Sequence, residues 1–260
     1  MIGMVDYHMH SVLSDGQDTY EEMVLAAIAR DLDEIGFSEH VCLKPVDWAI
    51  RIEDIPVMTS QILDLKSKYE GQIKIRYGIE LDYFPGRELE LKKIIENIPV
   101  DYVIGSVHFI GNWNFDTDMS LYGKWSNDKL YAKYFHLIQQ AARSDLFDII
   151  GHIDIIKKFR VYPETSQDIL FEDTIKVIKE HNLVVELNTG VLDRPCAEFA
   201  PGPRLLELCY KNNVPVTLCS DAHRKVQIAR HYELALEVLA QTGYKEITGF
   251  NNRIRRIIRL

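Results

Sequence analysis

Short β-branched runs alternate with longer amphipathic stretches along the whole chain, and this rhythm restricts the fold more than any other feature of the sequence. Such alternation is the pattern of repeated β/α units around a parallel sheet. Candidate strands are Ile2–Tyr7, Glu34–Ser38, Ile73–Ile79, Tyr102–Val107, Asp148–Gly151, Val184–Asn188 and Val216–Cys219. Helical patterns lie between and after them at Tyr20–Arg30, Ile55–Tyr69, Arg87–Asn97, Asn127–Arg143, Thr165–Glu180, Pro203–Lys211 and Gln227–Gln241. Seven alternations without a low-complexity linker or a break in composition predict an α/β chain with one domain over residues 1–260, a TIM-barrel-like ring. Lys245–Thr248 adds a short last strand, and the terminal NNRIRRIIRL is expected to lie on the barrel as an amphipathic tail.

Composition excludes several classes. At 260 residues and 47% hydrophobic content the chain is long enough for one large core. A formal charge of -9 argues against a protein that coats nucleic acid, because phosphate-backbone binding needs clustered Lys and Arg. The start, MIGMVDYHMH, lacks the layout of a signal peptide, and no run approaches the ~20 apolar residues of a membrane helix. Cys42, Cys196, Cys209 and Cys219 show no C-x-x-C spacing, which fits a reducing compartment, and the expected location is the cytoplasm.

In a β/α barrel, chemistry sits where strands run out into their following loops. Strand one ends in His8-Met9-His10, strand two in Glu39-His40, strand three in Glu80, strand four in His108, strand five in His152 and strand seven in Asp221 and His223. Any one of these read alone is an ordinary hydrogen-bonded residue. Six of the nine histidines nevertheless fall in this one layer, and a shared metal site explains that concentration better than scatter does. His136, His181 and His231 fall within helical stretches and are left out of the site.

The spacing suits the chemistry. Alternate residues of a strand point the same way, so His8 and His10 present two imidazoles to one ion, and Asp221 and His223 repeat that arrangement at the opposite side of the mouth. Asp15, in the loop SVLSDG, is either a turn-forming residue or a further ligand. Glu80 has two oxygens and can bridge neighbouring ions, where a buried salt bridge is the alternative. The mixed nitrogen and oxygen donors suit Zn, Fe or Mn.

The segments D-Y-H-M-H-S with S-D-G, F-S-E-H, G-I-E-L, G-S-V-H-F, G-H-I-D and S-D-A-H, in this order, resemble the polymerase-and-histidinol-phosphatase (PHP) superfamily over nearly the whole chain. The stretch from Gly105 to Asp116 and the following G-H-I-D-I-I-K-K-F are similar to the monofunctional histidinol-phosphate phosphatases of histidine biosynthesis. The resemblance implies a distorted (β/α)7 barrel with three divalent ions. It implies that His8, His10, Glu80 and Asp221 hold the first ion, Glu80, His108 and His152 the second, and Asp15, His40 and His223 the third. The stretch E-L-N-T-G-V-L-D-R-P, from Glu186 to Pro195, departs from the family's usual pattern, as does Cys219 before S-D-A-H.

The implied reaction is hydrolysis of a small phosphomonoester, L-histidinol phosphate, by a metal-bridging hydroxide held by Glu80, Asp221 and His223. Three divalent cations, the carboxylates Asp15, Glu80 and Asp221 and one hydroxide leave about +2 in an idealised count, which matches a phosphate dianion. Arg160 and Arg194 follow strands five and six and either grip the phosphate or are solvated loop residues. Asp116 is placed to meet a substrate ammonium, and Phe109, Trp113 and Phe115 to meet its imidazole, unless that loop folds its aromatics inward. Two rivals stand beside this reading. A phosphoesterase acting on nucleotides or oligonucleotides would want a basic track, which the chain lacks outside its C-terminal arginines. A non-catalytic metal-binding barrel would bind metal without turning over any phosphoester.

Overall fold

The computed structural model describes residues 3–260. Seven parallel strands form its central sheet, in the spatial order β1 (Val5–Asp6), β2 (Glu34–Val41), β3 (Lys74–Asp82), β4 (Tyr102–Ser106), β7 (Ile149–Ile150), β8 (Val184–Asn188) and β9 (Val216–Cys219). The sheet curls until its two ends meet. Met9 and Ala222 make a parallel bridge there, with His10 N donating to the Ala222 carbonyl at 2.9 Å and Ala222 N to that of His8 at 3.1 Å. The result is a nearly closed β/α barrel, as the alternation predicts, with the distorted form that the resemblance implies.

Helices α1 (Tyr20–Ile28), α2 (Ile55–Lys68), α3 (Glu88–Glu96), α4 (Asn127–Arg143), α5 (Asp168–Glu180), α6 (Pro203–Lys211) and α7 (Tyr232–Thr242) link or follow the strands. Their ends obey local chemistry. Thr19 and Glu22 form a reciprocal capping box at the start of α1, Pro56 and Pro203 occupy first turns where no amide donor is missed, and Gly243 ends α7 at φ 114. Each helix turns an apolar stripe to the sheet, and one continuous core runs from Val5 to Ile258. Every residue of β2 is buried, as a strand covered on both sides requires.

The barrel interior is filled below the site. The Tyr102 ring crosses Gly36 and Gly78, where an added Cβ would stand 2.1 and 2.2 Å from it, and its hydroxyl donates to the Tyr7 carbonyl at 2.6 Å. Glycine at both positions is what admits the ring. At the end where the strands begin lies an antiparallel hairpin, β10 (Glu246–Asn251) with β11 (Ile254–Arg259). Its Phe250 packs on Tyr7 and Tyr102, Arg253 pairs with Asp148 at 2.8 Å, and Arg256 pairs with Glu34. Arg253 and Arg256 therefore serve the fold, and the expected tail is a strand.

Several local expectations change. The pattern over Gln227–Gln241 predicts a helix, yet α7 begins at Tyr232, because Ala229 and His231 sit at φ 53 and 59 and Ala229 N is held by the Asp6 carboxylate at 3.0 Å. After β4 the chain makes a small hairpin, β5 (Phe109–Ile110) and β6 (Trp113–Asn114), around Gly111 at φ 64. Strand one shortens to Val5–Asp6, and Ile2 lies outside the described residues.

Candidate metal centre and pocket

Glu80 lies in the last residues of β3, inside the mouth of the barrel, and five imidazoles surround it. One of its oxygens lies 3.2 Å from His8 Nε2, 3.6 Å from His10 Nε2 and 2.7 Å from His40 Nδ1. The other lies 3.0 Å from His152 Nε2 and 3.8 Å from His108 Nε2, and accepts from Ser106 Oγ at 2.6 Å. Asp221 approaches from the far side, 3.8 Å from His8 Nε2 and 3.5 Å from His10 Nε2. Asp15 faces His40 at 3.6 Å and His223 at 3.3 Å. All nine ligand candidates of the sequence thus converge at the ends of different strands.

A second row of carboxylates fixes these rings. Glu186 on β8 meets His8 Nδ1 at 2.5 Å and accepts the backbone N–H of His152 at 2.6 Å. Asp82 meets His108 Nδ1 at 2.9 Å, and Glu39 accepts the Ser11 amide at 2.9 Å beside the hydroxyl of Ser14. A carboxylate on the outer nitrogen of an imidazole sets its tautomer and leaves the inner nitrogen as a donor atom. Sequence reasoning missed Glu186 and Asp82 as parts of the site.

Electrostatics follow from this crowding. Burial favours the neutral carboxyl of Glu80, but the imidazoles of His40 and His8 and the hydrogen bonds from His152 and His40 outweigh it and hold the group well below the usual range. Burial also lowers His108, yet Asp82 and Glu80 push it up to about 10. His10 goes the other way, to about 3, because burial is reinforced by the neighbouring His40 and His223.

The donor set fits metal ions. Three groups offer ligand atoms within 4.8 Å of one another: His10, Asp15, His40 and His223; His8, His10 and Glu80; and His40, Glu80 and His108. Within them, His8 Nε2 and both His10 nitrogens are buried without a hydrogen-bond partner, which an apolar or purely structural cluster would not tolerate. Compared with the expected sets, His10 and His40 each reach two groups. His152, which touches Glu80, and Asp221, which faces His8 and His10, belong to none of the three.

Above this floor opens a pocket of about 460 Å³, whose walls include Asp116, Thr117, Ile155, Lys158, Phe159, Val191 and Arg194. Lys158 is buried there and paired with Asp116. Arg194 and Asp116 thus lie where the sequence expected substrate contacts, whereas Arg160 and Phe109 do not. Arg160 sits at φ 62 just past a turn of 3-10 helix (Ile155–Lys157), is exposed and donates to the Pro195 carbonyl, so the basic residue of this segment that faces the pocket, beside Arg194, is Lys158. Phe109 is buried against Cys42 and Phe84 under the Lys44 ammonium, 4.2 Å from its ring centre. Trp113 and Phe115 also fold inward, onto Tyr122 and Tyr134. A small annexe of about 100 Å³ beside the pocket is lined by Trp48, Asn114 and Thr117 with His40 and His108.

A β/α barrel whose strand ends gather imidazoles and carboxylates around buried, unpaired donor atoms is a metal-binding barrel of the phosphoesterase type. The chain belongs to the PHP domain family, whose model matches residues 6–190. It is 30% identical over 255 residues to a protein of Deinococcus radiodurans named "Probable histidinol-phosphatase", covering 95% of this chain and 97% of that one. It is 24% identical over 257 residues to the histidinol-phosphatase of Lactococcus lactis, covering 95% and 94%. Among solved structures, histidinol phosphate phosphatase from Lactococcus lactis, in complex with Zn, L-histidinol and phosphate, superposes with a TM-score of 0.85 at 23% identity over 98% of this chain and 100% of that chain.

Proposed function

We propose that this chain hydrolyses L-histidinol phosphate to L-histidinol and phosphate, as a metal-dependent phosphoric monoester hydrolase of histidine biosynthesis. The observation that carries the reading is the pairing of two features in one cavity. A floor of imidazoles and carboxylates has buried donor atoms without partners, and a wall presents Lys158 and Arg194 to an anion. The names of the relatives, which match over almost their entire length, support this substrate over other phosphomonoesters.

His8, His10, Glu80 and Asp221 would hold one divalent ion, Glu80, His108 and His152 a second, and Asp15, His40 and His223 a third, with Zn, Fe or Mn suited to these donors. Bound divalent ions supply charge neutralisation for a phosphate dianion and lower the pKa of water towards roughly 7. The chain does the rest. Lys158 and Arg194 draw the phosphoryl group onto the floor, and Asp116, already facing an ammonium at Lys158, offers a carboxylate to the amino group of the substrate. Ile155, Phe159 and Val191 exclude water from the pocket wall, which strengthens each of these attractions. Trp48 in the annexe offers an aromatic face to the imidazole, the part first expected of Phe109, Trp113 and Phe115.

The four described cysteines are free and buried, which supports a cytoplasmic protein acting on a small soluble substrate. Among the described residues no helix is long and apolar enough to cross a membrane. The test is phosphate release from L-histidinol phosphate beside other phosphomonoesters and short oligonucleotides, before and after chelation. A clear preference for L-histidinol phosphate, lost on chelation and restored by added metal, is expected. Turnover of oligonucleotides without turnover of L-histidinol phosphate would overturn the reading.

A further inference from the structure

The stretch Glu186–Pro195 provides none of the candidate ligands, yet it lies against the strand end that carries Asp221. Its part in the site is explained by a residue far away in the chain, Arg230. The side chain of Arg230 is only 12% exposed and uses all three of its nitrogens. Nε donates to the Ser220 carbonyl at 2.9 Å, Nη2 to the Asp221 carbonyl at 2.8 Å and Nη1 to Asp193 at 3.0 Å. Asp193 is fixed in turn by His231 at 2.7 Å.

Glycine at position 190 is what lets the guanidinium through. A Cβ there would stand 2.1 Å from Arg230 Nη2 and 2.7 Å from the Ser220 carbonyl. The segment held this way is strained. Asp221 sits at φ 51, in the left-handed region that a residue with a side chain enters only at a cost and under restraint from its surroundings. Its amide side is held separately, since the Asp6 carboxylate accepts the Ser220 amide at 2.9 Å. Arg230 grips the carbonyl side.

The Asp221 carbonyl is shared with the site. His223 Nδ1 lies 3.1 Å from it, and a carbonyl oxygen has two lone pairs, so it accepts Arg230 and His223 together. With Nδ1 engaged, His223 turns Nε2 towards Asp15, and the Asp221 side chain is left facing His8 and His10, with its other oxygen taken by Asn188 Nδ2 at 3.2 Å. One guanidinium therefore stands behind two candidate ligands.

We propose that Arg230, passing over Gly190 and braced by Asp193, is a positioning residue that holds the strained Ser220–Asp221 backbone so that Asp221 and His223 present their donor atoms to metal. This rests on the metal reading of the site. It predicts that the strap sets metal affinity rather than fold. The experiment is a competition titration of Zn²⁺ against a chromophoric chelator on the purified chain, with zinc per chain by elemental analysis and the melting temperature of the chelated protein. Arg230→Gln is expected to bind its weakest-held zinc on the order of 10- to 100-fold less tightly, the range for losing a group behind a ligand, with the chelated melting temperature nearly unchanged. Arg230→Lys, which keeps one donor for the two carbonyls, should recover part of the loss.

Zinc on the wild type and equally tight zinc on Arg230→Gln would overturn the strap alone. No zinc on the wild type would remove the metal reading and the strap with it. If Arg230→Gln does not fold, Asp193→Ala, at a half-exposed side chain, carries the test. Weaker zinc in that variant supports the strap and unchanged zinc overturns it.

Discussion

Glu80 is a single buried carboxylate within 4 Å of five imidazoles, an arrangement that puts opposite demands on each partner. The carboxylate stays charged against its burial through the imidazoles around it, and each imidazole must keep one nitrogen free to be useful to a metal. The residues behind the rings resolve the conflict, which makes two substitutions informative together. His152→Ala removes a candidate ligand and is expected to lose metal and activity together while the circular dichroism spectrum stays that of the wild type. Glu186→Gln keeps every ligand but removes the charge behind His8 and the best acceptor for the His152 amide, so a loss of roughly 10- to 100-fold in metal affinity is expected. Zinc titration and phosphate release measure both, and a wild-type value for either variant would take that residue out of the site. The nine ligand candidates were legible in the sequence because parallel strands must end on one face. Glu186 and Asp82 were not, since a carboxylate within an apolar strand has no neighbouring signal that says which ring it will meet.

At the scale of elements, β8, β9, α4 and α6 begin and end where the sequence places them, because each apolar run is closed by turn or capping residues. Strand one is shorter than its apolar run, since the chain at Tyr7–His10 leaves regular pairing to close the ring through the Met9–Ala222 bridge. Lys158 was overlooked for a related reason: the 3-10 turn after β7 decides which basic side chain faces inward, and no periodicity in G-H-I-D-I-I-K-K-F-R encodes that choice. The start of β4 depends on one carboxylate. Asp101 takes the Lys66 ammonium at 2.7 Å and the amides of Tyr77 at 2.8 Å and Asn252 at 3.0 Å, tying α2, β3 and the terminal hairpin together. Burial raises this carboxyl, but the Lys66 and backbone hydrogen bonds outweigh it and hold it below its ordinary value. A depressed carboxyl contributes stability above its unfolded pKa of about 3.9, and that contribution is lost as pH falls through the folded value. Asp101→Asn is therefore expected to cost roughly 1–3 kcal/mol near neutral pH and to narrow its gap from the wild type in acid, as urea unfolding at pH 7 and pH 3 would reveal. An equal gap at both pH values would contradict this assignment.

Over the whole molecule, the two ends of the barrel do different work. The hairpin and its arginines close the end where strands begin, and the loops after the strands build the site, so a chain with a net charge of -9 can still attract an anion at one spot. That division predicts that metal contributes to stability through the mouth alone. Chelation should lower the melting temperature and abolish phosphate release while the chelated chain still unfolds in one cooperative transition, because the core from Val5 to Ile258 does not depend on the ions. A chelated protein without a cooperative transition would show that the barrel itself needs them. The central claim is that side chains from six strands meet around metal, and anomalous scattering from crystals of the zinc-loaded protein tests it most directly. Peaks are expected between the Glu80 carboxylate and the imidazoles of His8, His10 and His108, and beside Asp15 and His223. Zinc found only at surface residues, or a barrel mouth without a peak at full zinc loading, would contradict it.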